Sequence, residues 1–231
     1  MVQTPTVPPM VEGRWIPMSY EEFLAWAPVG ARTEWTDGEG IVYVTAGDRH
    51  QAMILFAASL LGEFVRLFGL GRVSIAPYPM ELRPGGPHRE PDVLFVATAH
   101  LDRWTPRRLK GPADLAFEFL SEDTAAEDRG RKRREFEMLG VPEYVMADSR
   151  PRRYDLEYLR LDAAGHYQDV EPDSQGRYHS AVVPGFWLDP EWFRQDPLPS
   201  VTSIMLELAP EAYEAWLLAE IRARRREPGT R

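Results

Sequence analysis

The chain contains no cysteine. That excludes a disulfide scaffold, thiolate-held zinc or iron–sulfur centres, and cysteine nucleophiles. Lysine is nearly absent as well: of 27 basic residues, 25 are Arg, and only Lys110 and Lys132 are Lys. No stretch reaches the ~18 uninterrupted apolar residues of a membrane span. No phosphate-binding G-x-x-x-x-G-K-[ST] loop or G-x-S-x-G elbow occurs, and Gly69 with Gly71 is only a fragment of a dinucleotide loop. His50, His88, His100, His166 and His179 lack metal-ligand spacing. The opening residues carry neither a basic start nor an apolar core, so a cytoplasmic protein without a secretory leader is expected.

What remains is 231 residues, 44% hydrophobic and 11% aromatic, with a net charge of −9. This suits one large folded domain with appendages and excludes a disordered chain. The acidic balance argues against coating nucleic acid by bulk attraction, but leaves room for an acidic metal site.

Residues 1–17 read as a loose, Pro-rich lead-in. Ser19 and Glu22 form a capping box for a helix over Tyr20–Ala27. The run Thr33 to Val44 predicts a hairpin turning at Asp37-Gly38. Asp48 is expected to cap a long helix ending near Phe68, with Ile54, Leu55, Ala58, Leu61, Val65 and Phe68 as its apolar stripe. Short strands follow over Arg72–Ala76, Tyr78–Leu82 and Asp92–Val96, then a charged loop over 98–112. Leu115-Ala116-Phe117-Glu118-Phe119-Leu120 has the near-continuous apolar character of a strand covered on both faces. Thr124 and Glu127 predict a second capping box, on a helix ending at Gly140. Glu143–Ala147 is a further strand, Asp155–Leu161 with His166–Glu171 a peripheral hairpin, and Glu211–Arg226 a terminal helix. The order implies an α/β (α+β) domain with one mixed sheet flanked by helices.

Glu118 shares a strand face with Ala116 and Leu120, and a carboxylate there needs a cation, either an Arg or a metal. Lys132 lies four and seven residues before the apolar anchors Phe136 and Leu139. The rare Lys therefore sits on the inward stripe of the helix that follows the Glu118 strand, unless it snorkels at the stripe's edge. Pro91-Asp92 puts another carboxylate at a strand start. Two carboxylates can hold Mg²⁺, and a nearby ammonium can orient water or offset phosphate charge. This is the chemistry of phosphodiester hydrolysis.

The ordered series Thr33–Glu39, Glu90–Val96, Asp114–Ser121, Asp128–Lys132 and Gly140–Asp148 resembles the Uma2 branch of the PD-(D/E)XK nuclease superfamily, over about residues 18 to 190. The resemblance implies a restriction-endonuclease-like core, Asp92 and Glu118 as metal ligands, and the Phe119 carbonyl as a third. The superfamily's usual Lys position is occupied here by Leu120; in Uma2-like chains the Lys moves to the following helix, as Lys132 does. Glu34 matches the family's hairpin Glu, completing an acidic cluster or pairing with an Arg such as Arg32. His50 is an accessory candidate, catalytic, phosphate-contacting or merely at the surface. Asp128 pairs with Lys132 or caps its helix.

The expected function is a Mg²⁺-dependent DNA endonuclease acting through Asp92, Glu118 and Lys132, with Mn²⁺ as substitute metal and a homodimer as the assembly. Its rivals are a degenerate module that binds nucleic acid or protein without cutting, and a structural oligomer. The expected organisation is a lead-in over 1–17, a nuclease-like domain over 18–190 and a C-terminal extension over 191–231. Lys132→Met is expected to leave the fold intact.

Overall fold

The computed structural model describes residues 13–28, 31–43, 47–150, 153 and 155–226. The expected lead-in therefore lies outside the described residues up to position 12, as does Val44 of the hairpin.

The Leu115–Leu120 strand is central in a six-stranded mixed sheet. The order is Tyr167–Asp169, Leu156–Leu161, Glu143–Asp148, Leu115–Leu120, Val93–Ala97, Gly71–Ile75. Within this sheet only the Leu115–Leu120 and Glu143–Asp148 strands run parallel, because the helical segment over 125–139 carries the chain back across one face. The other pairings are antiparallel. All six residues of Leu115–Leu120 are buried, as its apolar composition predicts.

Alternation along that strand sorts its side chains into two layers. Leu115, Phe117 and Phe119 enter a core with the helix Asp48–Phe68 and with Ile204, Met205 and Tyr213 of the C-terminal helices. Ala116 and Leu120 enter a second core with Phe136 and Tyr144, beneath the 125–139 segment. The helix Asp48–Phe68 is long and apolar enough to cross a bilayer, with a mean hydropathy of 1.5, but here its buried stripe covers the sheet.

The α/β class with mixed sheets and flanking helices is the architecture observed, but in place of a single sheet there are two six-stranded ones and a two-stranded pair, Tyr178–His179 with Trp187–Leu188. The hairpin strands Thr33–Thr36 and Glu39–Val42 join short strands at Ile16–Pro17, His88–Arg89, Met80–Glu81 and Leu109–Lys110 in a second six-stranded sheet. The hairpin turns at Asp37 and Gly38, with φ of 49° and 80°, the pair of left-handed residues that a two-residue turn requires. The capping box at Ser19 forms as expected.

Other local expectations change. Gly47, not Asp48, caps the long helix. Thr124 makes no cap bond; its hydroxyl pairs with Ser121, and Glu127 turns instead to Arg89 and Arg131. The charged segment 98–112 contains a 3₁₀ helix, Thr98–Arg103, and the Leu109–Lys110 strand. A helix over Val201–Leu208, absent from the sequence expectation, precedes the terminal helix Pro210–Arg226.

Candidate active site

The antiparallel register sets Val93 opposite Phe117 and Leu94 opposite Ala116. One step beyond, Asp92 falls opposite Glu118, so both carboxylates occupy the same end and face of the pair. Side chain and backbone lock them together. The Asp92 backbone N–H donates to Glu118 Oε2 at 3.3 Å, and the Phe119 N–H donates to Asp92 Oδ2 at 2.7 Å. The Leu120 carbonyl accepts from the Ser149 N–H on the Glu143–Asp148 side of the strand. Successive carbonyls alternate, so the Phe119 carbonyl faces the Asp92 side.

Lys132 approaches from the opposite layer. The segment Asp128–Lys132 is a single π-helical turn between Ala125–Glu127 and Arg133–Leu139, a wide turn of the kind that recurs at functional sites. Its Nζ lies 2.9 Å from Glu118 Oε1, 3.0 Å from Glu34 Oε1 and 2.9 Å from Asp128 Oδ1. With 0% exposure, Lys132 does not snorkel. Glu34 arrives from the hairpin sheet; its other oxygen accepts from Tyr43 and from Arg89, at 2.7 and 2.9 Å. Glu34 is therefore part of the acidic cluster, and its arginine partner is Arg89 rather than Arg32.

Arg32 lies across the two strand carboxylates. Its Nη1 is 2.7 Å from Asp92 Oδ1 and its Nη2 is 3.4 Å from Glu118 Oε2. His50 is buried rather than at the surface. Its Nε2 is 3.7 Å from Asp92 Oδ2, beyond hydrogen-bond reach, and its Nδ1 is 3.3 Å from Ser149 Oγ. Every side chain singled out from the sequence (Glu34, His50, Asp92, Glu118, Asp128 and Lys132) thus lies in one buried polar cluster where the two sheets meet the helical segment.

The charges in this cluster do not balance. Glu34, Asp92, Glu118 and Asp128 face Lys132 and Arg32, while Arg89 is shared between Glu34, Glu127 and Glu135. Burial pushes Glu118 well above the usual carboxylate range, and the neighbouring Asp92 and Asp128 charges add to the effect against Lys132 and Arg32. Asp128 is raised for the same first reason. Burial alone would lower the Lys132 ammonium, but Asp128, Glu118 and Glu34 outweigh it and hold the group well above its ordinary value. Glu34 goes the other way: burial opposes its charge, and Lys132, Arg89 and Arg32 together keep it ionised. Burial lowers His50, leaving a neutral ring near neutral pH.

Among the described residues, no three acidic or histidine side chains are grouped at the spacing of a complete metal cage. The donors available are instead two carboxylate oxygens, Asp92 Oδ1 and Glu118 Oε2, converging on one cation, with a backbone carbonyl on the same side. Oxygen donors and surplus negative charge fit a hard divalent cation such as Mg²⁺ or Mn²⁺, which completes its shell with water.

The sequence marks Arg32 only as a partner for Glu34, not as the bridge between Asp92 and Glu118, and it does not mark Arg89. The spacing of Arg32 and Glu34, one just before and one within the Thr33–Thr36 strand, carried a signal, since residues two apart in extended chain share a face. Arg89 was hidden in a short segment whose partners, Glu34, Glu127 and Glu135, come from distant parts of the chain.

A solved structure of similar architecture is a putative nuclease of the DUF820 group from Anabaena variabilis ATCC 29413. It is 16% identical, with a TM-score of 0.61 over 77% of this chain and 97% of that one. At that identity the likeness speaks for the fold. No curated protein matches in sequence. The family profile described as Uma2, putative restriction endonuclease, matches residues 20–191, a span that holds the hairpin glutamate, both strand carboxylates and the helical lysine. The chain belongs to the Uma2 family.

Proposed function

We propose that this protein is a divalent-metal-dependent endonuclease that hydrolyses phosphodiester bonds in DNA. The observation that carries the reading is the convergence of Asp92 and Glu118 from adjacent strands, with the Lys132 ammonium 2.9 Å behind Glu118. Asp92, Glu118 and the Phe119 carbonyl are the groups that would hold the cation. The chemistry it supplies when bound is polarisation of a phosphate oxygen and a more acidic water.

The chain's own residues do the rest. Lys132, anchored to three carboxylates, is a fixed cation; it holds one oxygen of Glu118 and leaves Oε2 turned toward Asp92. Its raised pKa suits charge compensation rather than removal of a proton from water. The Phe119 N–H fixes the Asp92 carboxylate. His50 supports the site from beside Asp92 as a neutral group. Cutting both strands of a two-fold symmetric duplex calls for a homodimer, which light scattering would reveal.

A specific observation favours a second reading, a module that binds without cutting: Arg32 ties both metal-ligand candidates into ion pairs. Supercoiled plasmid separates the two. In Mg²⁺ or Mn²⁺ the parent should nick or linearise it, EDTA should abolish the activity, and Asp92→Asn should lower it at least ~10²-fold. A parent inert on plasmid, linear duplex and single strands in either metal transfers the assignment to the binding module.

A further inference from the structure

The three buried or half-buried cations of this cluster are not equivalent. Lys132 touches three carboxylates and Arg89 another three-carboxylate set, each with its side chain 0–1% exposed. Arg32 differs on every count. Its side chain is 20% exposed, while those of Asp92 and Glu118 are 1%. It has one short contact, to Asp92, and longer ones to Glu118 Oε2 and the Glu90 carbonyl, at 3.4 and 3.3 Å. Its guanidinium stacks over the Tyr43 ring at 4.8 Å. It is the cation at the mouth of the cluster, and the oxygens it engages are the metal donors of the proposed site.

Resting on the metal-nuclease reading, we propose that Arg32 is an internal competitor for the divalent cation: its guanidinium sits on the Asp92–Glu118 pair and must withdraw before an ion can take the same oxygens. A guanidinium keeps its proton at any physiological pH, so it can vacate the pair only by moving. Exposure gives it somewhere to go, since a displaced guanidinium regains water. Lys132 and Arg89, sealed among carboxylates, cannot leave without stranding buried charge. Exchanging one positive charge for two also relieves the surplus of carboxylates, so the swap favours the ion once its concentration is sufficient. Arg32 thereby sets the metal concentration at which the site loads.

The test is Mn²⁺ binding by the full chain, read by titration calorimetry and by loss of the free-ion electron paramagnetic resonance signal. Parent, Arg32→Gln and Arg32→Lys are compared, with Asp92→Asn as the site control. Removing a positive charge beside the pair should make Mn²⁺ bind at least about tenfold more tightly in Arg32→Gln. The Mn²⁺-induced rise in Tm should be larger in that variant than in the parent. Arg32→Lys keeps the charge but cannot span two carboxylates, so it should gain less, in the same direction. That variant carries the test if Arg32→Gln does not fold. Mn²⁺ binding by folded Arg32 variants that equals or falls below the parent's overturns the competitor and leaves the metal site standing. No Mn²⁺ binding by parent or variants overturns both.

Discussion

The strand Leu115–Leu120 has two faces that obey opposite rules. On one, Leu115, Phe117 and Phe119 meet Leu60, Phe64 and Phe193 in a mainly apolar layer, where each contact is weak, non-directional and replaceable. On the other, Glu118 stands between Ala116 and Leu120 and is held by Lys132, Arg32 and the Asp92 backbone. There the sealed partner, Lys132, is individually required, because a buried charge that loses its counter-ion has no water to fall back on. The apolar face tolerates approximation; the polar face does not.

The largest expected effect breaks this contrast from the polar side. Sequence reasoning expects Lys132→Met to leave the fold intact, on the assumption of one desolvated charge. The structure changes that expectation, because the ammonium compensates Glu118, Glu34 and Asp128 together. Urea unfolding of Lys132→Met should show a loss of about 3–5 kcal/mol, the scale for stranding buried partners. Plasmid cleavage should fall at least ~10²-fold per folded molecule. Adding Glu118→Gln should restore part of the stability but none of the cleavage. By contrast, Leu60→Ala should cost a similar ~2–5 kcal/mol while the surviving folded protein still cuts. A Lys132→Met protein as stable as the parent would show that the three carboxylates take up protons instead.

Much of this polar site was legible in the chain. Alternation placed Glu118 on the face toward the next helix, helical spacing placed Lys132 inward, and the hairpin turn at Asp37-Gly38 followed from two residues. These are local rules acting over a few positions. Arg89 and the bridging role of Arg32 were not legible, because their partners come from segments brought together only by the second sheet. The split into more than one sheet was hidden for a related reason. Strands of two residues, such as His88–Arg89, carry no periodicity to read.

A smaller effect probes the border between the two regimes. His88 is 6% exposed, with its ring packed edge-on against Phe23 at 5.2 Å. Burial is the main cause that holds it down to about 4; Arg108 adds to this, and Glu34 and Glu81 oppose it. The unfolded chain, with its His near the ordinary ~6.5, takes up the proton first. Stability from this group is therefore complete above that value and is lost as pH falls through the window from about 6.5 to about 4. Between pH 7 and 4.5, the parent should lose about 2–3 kcal/mol more than His88→Phe in urea melts, other acid effects being shared. Parallel pH profiles for the two proteins would mean that the ring titrates as it does in water.

The smallest effect tests the apolar face, on the helix Asp48–Phe68, where the expected stripe proves partly misplaced. Ile54, Leu61 and Val65 are buried as expected, but Leu55 is 68% exposed and Phe68 44% exposed. The buried set is instead completed by His50, Met53, Phe56, Ala57, Leu60 and Phe64. The reason is physical: in a helix apolar on nearly every side, a 3.6-residue period fits more than one stripe, and the sheet it packs against selects the face. Leu55→Ser should therefore change unfolding free energy by no more than about 0.5 kcal/mol, as at an ordinary surface position. The same substitution at Leu60 should unfold the protein or nearly so, since it adds a buried hydroxyl to the lost volume. A cost of several kcal/mol at Leu55 would mean that this surface is covered in solution, and a partner on that face would then be the first thing to look for.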